Sequence, residues 1–319
     1  MAWTPAFAGV RVIDRPEAPT YALVMLDERT YDDRDGFIWL DGALVPWRDA
    51  KVHVLTHALH YASSVFEGQR AYGGTIFKLD EHSARLRRSA ELLGFTLPWN
   101  VEEINAACYE TMAANGLKDC YVRPVAWRGS EQMGVAAQRT KPHLGIACWH
   151  WGAYFGEEQV KSGIRLDVAE WRRPAPYTAP VHSKAAGLYM IATLSKHRAS
   201  DRGFDDALMF DWRGQVAEAT GANAFFVQDG QLHTPTPDCF LDGITRRTVI
   251  DLARRRGVEV VERAIWPEEL EGFQEFFVTG SAAEVTPVKS AGPWNFQVGA
   301  LTRQLQDDYA RLARGQDLR

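Results

Sequence analysis

Lys184 sits in "VHSKAAGLYM" (181–190), among Ala, Gly, Leu, Tyr and Met. The nearest acidic residues are Glu170 and Asp201, too far along the chain to be local partners. Lysine is ordinarily placed where water or a carboxylate meets its charge. Desolvation disfavours the ammonium form and leaves a free amine able to attack a carbonyl. Eight lysines stand against 28 arginines, so the search for a nucleophilic lysine is short. The plainer reading is a lysine that snorkels out of a loop ahead of a helix, and the local sequence alone favours it.

Other segments carry complementary chemistry. "GITRRT" (243–248) sets Ile244 and Thr245 at a helix start, where free N–H groups and the helix dipole receive an anion. "TGSAAE" (279–284) is a small-residue turn offering N–H groups and the Ser281 hydroxyl. Arg85, in the second turn of a helix placed at 81–93, adds a full positive charge. "GQVAEATGAN" (214–223) puts Glu218 after an apolar strand and before small residues. Singly, each has an ordinary alternative: a capped helix, a turn, a solvated arginine, an edge-strand glutamate. Together they match what pyridoxal phosphate requires. The lysine bonds the cofactor, a cradle holds the phosphate, and a carboxylate keeps the pyridine nitrogen protonated so that the ring accepts electrons.

The elements that must position these groups alternate between strand and helix. "FIWLDGALVP" (37–46) reads as a hairpin around Asp41-Gly42. A helix follows at 81–93, with Asp80 as N-cap and Gly94 at C′. Asn100 and Glu103 form a capping box ahead of the next helix. "CYVRPVAWRG" and "LGIACWHWGAYF" read as buried strands. Beyond a glycine-broken stretch at 152–163, "IRLDVAEW", "DALMFDW", "QVAEA" and "AFFVQDGQLHTP" read as strands, the last with a second Asp-Gly hairpin. Helices are placed near 185–199 and from 244 to a stop at Gly257, where a strand follows. The expectation is two α/β (α+β mixed) domains, 1–151 and 164–319, joined by a loop at 152–163.

Composition excludes several classes. A net charge of −5 and a pI near 6.0 leave no basic footprint for nucleic acid. No run of 18 apolar residues suits a membrane span, and "MAWTPAFAGVRVIDRP" lacks the pattern of a signal peptide. Four scattered cysteines without CxxC or metal-ligand spacing read as reduced thiols, which points to the cytoplasm and to no metal.

Eight segments occur in the order seen in branched-chain amino-acid aminotransferases: "KVHVLTHALHYASSVFEGQRAY", "YVRPVAWRG", "WHWGAYFGEE", "WRRPAP", "SKAAGLY", "VAEATGAN", "GITR" and "GSAAEVTPV". From about residue 36 to 310 the chain resembles that family of fold-type IV pyridoxal-phosphate enzymes. The resemblance implies a small N-terminal α/β domain, a larger C-terminal domain and the cofactor between them. It implies a ping-pong transfer of the amino group of branched-chain L-amino acids to 2-oxoglutarate. Lys184 resembles the aldimine lysine and proton shuttle, and Glu218 the partner of the pyridine nitrogen. Arg85, Ile244, Thr245 and Ser281 match the phosphate site, and Tyr189 the residue bonded to the cofactor's phenolic oxygen. Tyr121, with the N–H groups of Ser281 and Ala282, matches the α-carboxylate site. Tyr61, Phe66, Val135 and Tyr154 match the substrate pocket, and Arg123 the arginine that receives glutamate's distal carboxylate. Tyr61 and Val135 are implied to reach the neighbouring subunit's site, so the minimum unit is a homodimer.

Three positions depart from the common family pattern. Leu188 replaces the usual Asn, Ala222 a frequent Glu, and Ser281 a Thr whose hydroxyl it keeps. The rivals within the fold are a D-amino-acid transaminase, an (R)-selective amine transaminase and a pyruvate-releasing lyase. "HYASSVFEGQR" and "YVRP" argue against them, because an aromatic pocket with Tyr121 and Arg123 suits branched-chain and glutamate side chains in turn. A non-catalytic binding protein would be expected to have lost Lys184 or Glu218, and a cofactor-free Schiff-base lyase would not need the phosphate cradle.

Overall fold

The computed structural model describes residues 29–152 and 154–318. The N-terminal stretch without a signal-peptide pattern, and the outermost ends of the two expected domains, lie outside the described residues.

The first sheet has seven strands: β1 (Phe37–Leu40), β2 (Ala43–Pro46), β3 (Ser64–Phe66), β4 (Gln69–Tyr72), β5 (Thr75–Ile76), β6 (Cys120–Arg128) and β7 (Pro142–Trp149). Their order is β2-β1-β7-β6-β4-β5, with β3 also on β6, and every pairing is antiparallel. Helices α1 (His57–Tyr61), α2 (Leu79–Leu92) and α3 (Val101–Ala114) belong to this half. Leu86, Ala90, Ile104, Cys108 and Met112 from α2 and α3 are buried in one core with Val122, Ala126, Leu144 and Ile146 of the sheet.

The second sheet has nine strands: β8 (Ile164–Val168), β9 (Asp206–Phe210), β10 (Val216–Ala219), β11 (Asn223–Gln228), β12 (Gln231–Pro235), β13 (Val260–Arg263), β14 (Glu275–Gly280), β15 (Glu284–Ala291) and β16 (Trp294–Asn295). Here β8 runs parallel to β9 and β15, and β12 to β13, among antiparallel neighbours. A β10–β11 pairing, Glu218 opposite Asn223, closes β10-β9-β8-β15-β14-β11 into a ring. Helices α4 (Glu157–Ser162), α5 (Met190–Asp201), α6 (Ile244–Arg255) and α7 (Ala300–Ala313) complete this half. The architecture is the expected mixed two-domain one.

Both Asp-Gly hairpins form, with φ of 51° at Asp41 and at Asp229 and 107° and 79° at the glycines that follow. The Asn100–Glu103 capping box is complete, and Gly94 and Gly257 follow their helices with φ of 76° and 74°. Three expectations need correction. Helix α2 begins at Leu79, after Lys78 in the left-handed region, so Asp80 lies inside the first turn and is no cap. Its carboxylate instead accepts from Asn105 Nδ2 on α3, 2.5 Å away. Residues 186–189 form a 3₁₀ turn, and α5 starts only at Met190. The glycine-broken stretch 152–163 carries the six-residue helix α4. Its pattern looks broken because no residue of α4 is buried.

Candidate active site

A cavity of about 300 Å³ is lined from both halves of the chain. It gathers Lys184, Glu218, Arg85, Tyr189, Ile244, Thr245 and Ser281, and with them Phe66, Tyr121, Arg123, Tyr154 and Ala282. Tyr61 and Val135 do not line it; both are exposed, Val135 by 87%. Of the three departures, Ala222 and Ser281 line the cavity, whereas Leu188 does not.

The backbone of Lys184 is pinned from two sides. Its N–H donates to Ser89 Oγ on α2 at 3.0 Å, and its carbonyl accepts from Phe66 N at 3.1 Å. Ser183 Oγ donates to the Ser89 carbonyl at 2.8 Å, so one helical turn holds two successive residues. The Lys184 Nζ donates to Tyr189 Oη at 2.7 Å. The Phe66 ring meets Tyr189 edge-on at 4.8 Å and lies 4.9 Å from Nζ. The amine is therefore aimed by a hydroxyl and an aromatic face, with no carboxylate bonded to it among the described residues.

Glu218 is buried on β10. Arg173 Nη2 lies 2.5 Å from its Oε1, and Asn223 Nδ2 donates to Oε2 at 3.1 Å. Burial pushes the Glu218 carboxyl up, against the opposing charges of Arg173 and Lys184. Asp206, at the start of β9, is a second buried carboxyl of the lining, also pushed up by burial. It accepts from Thr220 Oγ1 at 2.5 Å, and Lys196 Nζ stands 3.9 Å away.

Arg85 does not face the cavity alone. Its Nε and Nη2 clamp Glu67 at 2.7 and 2.9 Å, and His82 Nδ1 bonds the same carboxylate at 2.7 Å. Burial alone would push Glu67 up, but the Arg85 guanidinium and His82 outweigh it and hold the carboxyl well below the usual range. His82 itself is pushed down by burial. His82, Arg85 and Ser89 recur at three- and four-residue spacing on α2, which puts all three on one face.

The anion cradle fits a phosphate on two counts. Helix α6 opens at Gly243 with no side chain capping its first N–H groups, so those of Ile244 and Thr245 remain for a ligand. A Cβ on Gly243 would lie 2.2 Å from Asn223 Oδ1, so the close approach of the α6 entry to β11 requires glycine. Thr279 Oγ1, in the same lining, is buried and has no partner. Lys184, the α6 entry and the buried Glu218 carboxyl thus share one cavity, and the set fits pyridoxal phosphate.

The model of the amino-transferase class IV family matches residues 64–291. The chain belongs to the class IV aminotransferases. It is 43% identical over 283 residues to a protein of Rickettsia bellii named probable branched-chain-amino-acid aminotransferase, covering 88% of this chain and 96% of that one. The crystal structure of a T.th. branched-chain amino acid aminotransferase with pyridoxamine 5'-phosphate superposes with a TM-score of 0.86 at 39% identity, over 89% of this chain and 96% of that one. The same enzyme complexed with N-(5'-phosphopyridoxyl)-L-glutamate gives 0.84 at 37%, with the same coverage.

Sequence reasoning missed Glu67, His82, Ser89, Arg173 and Asn223, the groups that hold the predicted ones in place. The available signal was a glutamate in "SSVFEGQRAY", a strand-forming stretch where an unpaired charge is costly.

Proposed function

We propose that this chain is a pyridoxal-phosphate-dependent transaminase that moves the amino group of branched-chain L-amino acids to 2-oxoglutarate in two alternating half-reactions. The convergence of Lys184, Glu218 and the α6 entry in one cavity carries the reading. Bound there, the cofactor would supply an electron sink for the substrate's α-carbon. Lys184 would hold it and then carry the α-proton, with Tyr189 Oη fixing the amine's position. Glu218 would face the ring nitrogen, while Arg85, Ile244, Thr245 and Ser281 would hold the phosphate. Tyr121 and the N–H groups of Ser281 and Ala282 would receive the α-carboxylate.

Phe66, Tyr121, Trp151 and Tyr154 supply an apolar wall, worth about 1.5–3 kcal/mol for a buried branched side chain. Arg123 lies 4.9 Å from the Phe66 ring and donates from Nη2 to Tyr121 Oη at 2.9 Å. It is placed at that same wall, where a distal carboxylate would meet it. The phosphopyridoxyl-glutamate complex of the T.th. enzyme supports glutamate as the second substrate.

The working unit is a homodimer, with Tyr61 and Val135 reaching the neighbouring site. Exposed Val52, Val54, Leu55 and Leu59 beside Tyr61 support a covered face there. No helix among the described residues is long and apolar enough to cross a membrane, and Cys108, Cys120, Cys148 and Cys239 are all free, which supports a reducing cytoplasm. The proposed division into 1–151 and 164–319 is supported by strands that end at Trp149 and resume at Ile164.

An amino-donor panel with 2-oxoglutarate and pyruvate as acceptors tests the reading. Leucine, isoleucine and valine with 2-oxoglutarate are expected to lead, and Lys184→Ala to abolish transfer. Preference for pyruvate with (R)-amines or D-amino acids would overturn the substrate class, and turnover by the Lys184 variant would overturn the mechanism.

A further inference from the structure

Glu218 combines two demands that oppose each other. It lies on a buried strand, where a lone carboxylate takes up a proton, yet a carboxylate facing a pyridine nitrogen must carry a negative charge to keep that nitrogen protonated. One buried cation stands against it. Arg173 is itself 6% exposed, its Nη2 is 2.5 Å from Glu218 Oε1, and its Nε has no partner.

The backbone explains why that guanidinium is where it is. In "WRRPAP" Arg173 precedes Pro174, which biases it to extended geometry. Its N–H donates to the Phe210 carbonyl at 2.8 Å, and it bridges Asp211 in parallel register. The loop thus adds one rung to the end of β9, two strand positions from the Met209 that pairs with Glu218. The other groups around the carboxylate are Asn223 from β11, Lys184 ahead of the 3₁₀ turn, and Cys239 after β12. Asn223 is neutral, and Lys184 is bonded to Tyr189.

We propose that Arg173 is a positioning residue that keeps Glu218 ionised and aimed before the cofactor arrives. Each carboxylate oxygen then has one donor, Arg173 on Oε1 and Asn223 on Oε2, and each keeps a lone pair for the ring nitrogen. Arg173 would touch neither substrate nor phosphate; it acts through Glu218. The inference rests on the proposed role of Glu218, but its central measurement needs no cofactor.

Infrared difference spectra of the cofactor-free protein, each variant minus its Glu218→Gln counterpart, report the protonation of that one carboxyl. At neutral pH the native protein is expected to show no protonated-carboxyl band. Arg173→Met should show one, and Arg173→Lys, which restores a charge, should not. A carboxyl with a raised folded-state pKa favours the folded state below its unfolded pKa, and that contribution is lost as pH rises through the folded value. Stability of apo Arg173→Met should therefore fall across neutral pH relative to Arg173→Met/Glu218→Gln. Its affinity for pyridoxal phosphate, weakened about tenfold for each unit by which the Glu218 pKa exceeds the pH, should recover over the same range as Glu218 ionises.

An ionised Glu218 in Arg173→Met, or superposable pH–stability curves for the two variants, would overturn the proposal. Should Arg173→Met fail to fold while Arg173→Met/Glu218→Gln folds, the unpaired charge is the cause and the proposal stands. Should neither fold, Arg173 is structural and the proposal falls. A Glu218→Gln enzyme with native cofactor chemistry would remove the ring-nitrogen role and leave the charge-state result intact.

Discussion

Gly68, between β3 and β4, offers a sharp test of the α-carboxylate site. A Cβ built there lies 2.1 Å from Tyr121 Oη and 3.0 Å from Cζ. Its φ lies outside the left-handed region, so Gly68→Ala tests the contact and not backbone strain. Tyr121 has little room to move. It is 4% exposed, its ring meets Trp149 and Trp151 at centroid distances of 5.2 and 4.3 Å, and its hydroxyl accepts from Arg123. The hydroxyl must retreat by about 1.3 Å to reach an ordinary 3.4 Å contact, and a misplacement of about 1 Å costs on the order of 100-fold in rate. Gly68→Ala should therefore lower kcat/KM for donor and acceptor by about 100-fold, near 2.7 kcal/mol. Overpacking should cost about 1–3 kcal/mol in stability, read as a lower Tm. Cofactor affinity, titrated separately, should stay native. Tyr121→Phe removes the atom that clashes, so Gly68→Ala/Tyr121→Phe should be scarcely worse than Tyr121→Phe alone. Native kcat/KM in Gly68→Ala, or losses that add in the double variant, would refute the reasoning.

Other substitutions probe the remaining groups. Glu218→Gln should lower kcat by more than about tenfold, over 1.4 kcal/mol of barrier, while changing cofactor affinity far less. A smaller loss removes Glu218 from the ring nitrogen. Arg85→Ala strands Glu67 in the interior, so denaturant melts should show a loss of about 3–5 kcal/mol together with weakened pyridoxal-phosphate binding. Arg85→Ala/Glu67→Ala should regain stability but not cofactor affinity, and recovery of both would place the phosphate elsewhere. Arg123→Met should cut kcat/KM for 2-oxoglutarate and spare the leucine half-reaction, followed in single turnovers by cofactor absorbance. Equal losses would mean that Arg123 serves the α-carboxylate or the fold.

The groups legible in the sequence were those whose chemistry is odd for their setting. Lys184 among small apolar residues, an anion-receptive helix start at Ile244 and Glu218 at the end of an apolar strand each allow a structural reading, but together they match one cofactor. Their partners were not legible, because each pair joins residues far apart in the chain. Arg85 meets Glu67 across 18 positions, Lys184 meets Ser89 across 95, and Arg173 reaches Glu218 from the loop after β8. Local rules also misplaced the start of α2. Asp80 has the type of a cap, but Asn105 on α3 competes for its carboxylate, and the chain turns into the helix through left-handed Lys78. Tertiary bonding overrode the local preference for a cap at Asp80.

The partnerships also separate the site's charges by purpose. Four cationic side chains line the cavity: Arg85, Arg123, Arg173 and Lys184. Arg85 is clamped on Glu67 and Arg173 on Glu218, so each has a carboxylate within 3 Å. Arg123 and Lys184 have none among the described residues; their polar side-chain partners are the hydroxyls of Tyr121 and Tyr189. Hydroxyls hold a side chain in place without cancelling its charge. Glu67 therefore aims Arg85 at the proposed phosphate and Arg173 aims Glu218, whereas Arg123 keeps its charge for a ligand and Lys184 its amine for the cofactor. The Arg123 guanidinium and Lys184 Nζ each lie 4.9 Å from the centre of the Phe66 ring. A guanidinium left unpaired beside an apolar ring favours a ligand anionic at that end, as the distal carboxylate of the proposed 2-oxo diacid is. An uncharged branched side chain leaves the Arg123 charge on the faces of Phe66 and Tyr121, the neighbours it already has.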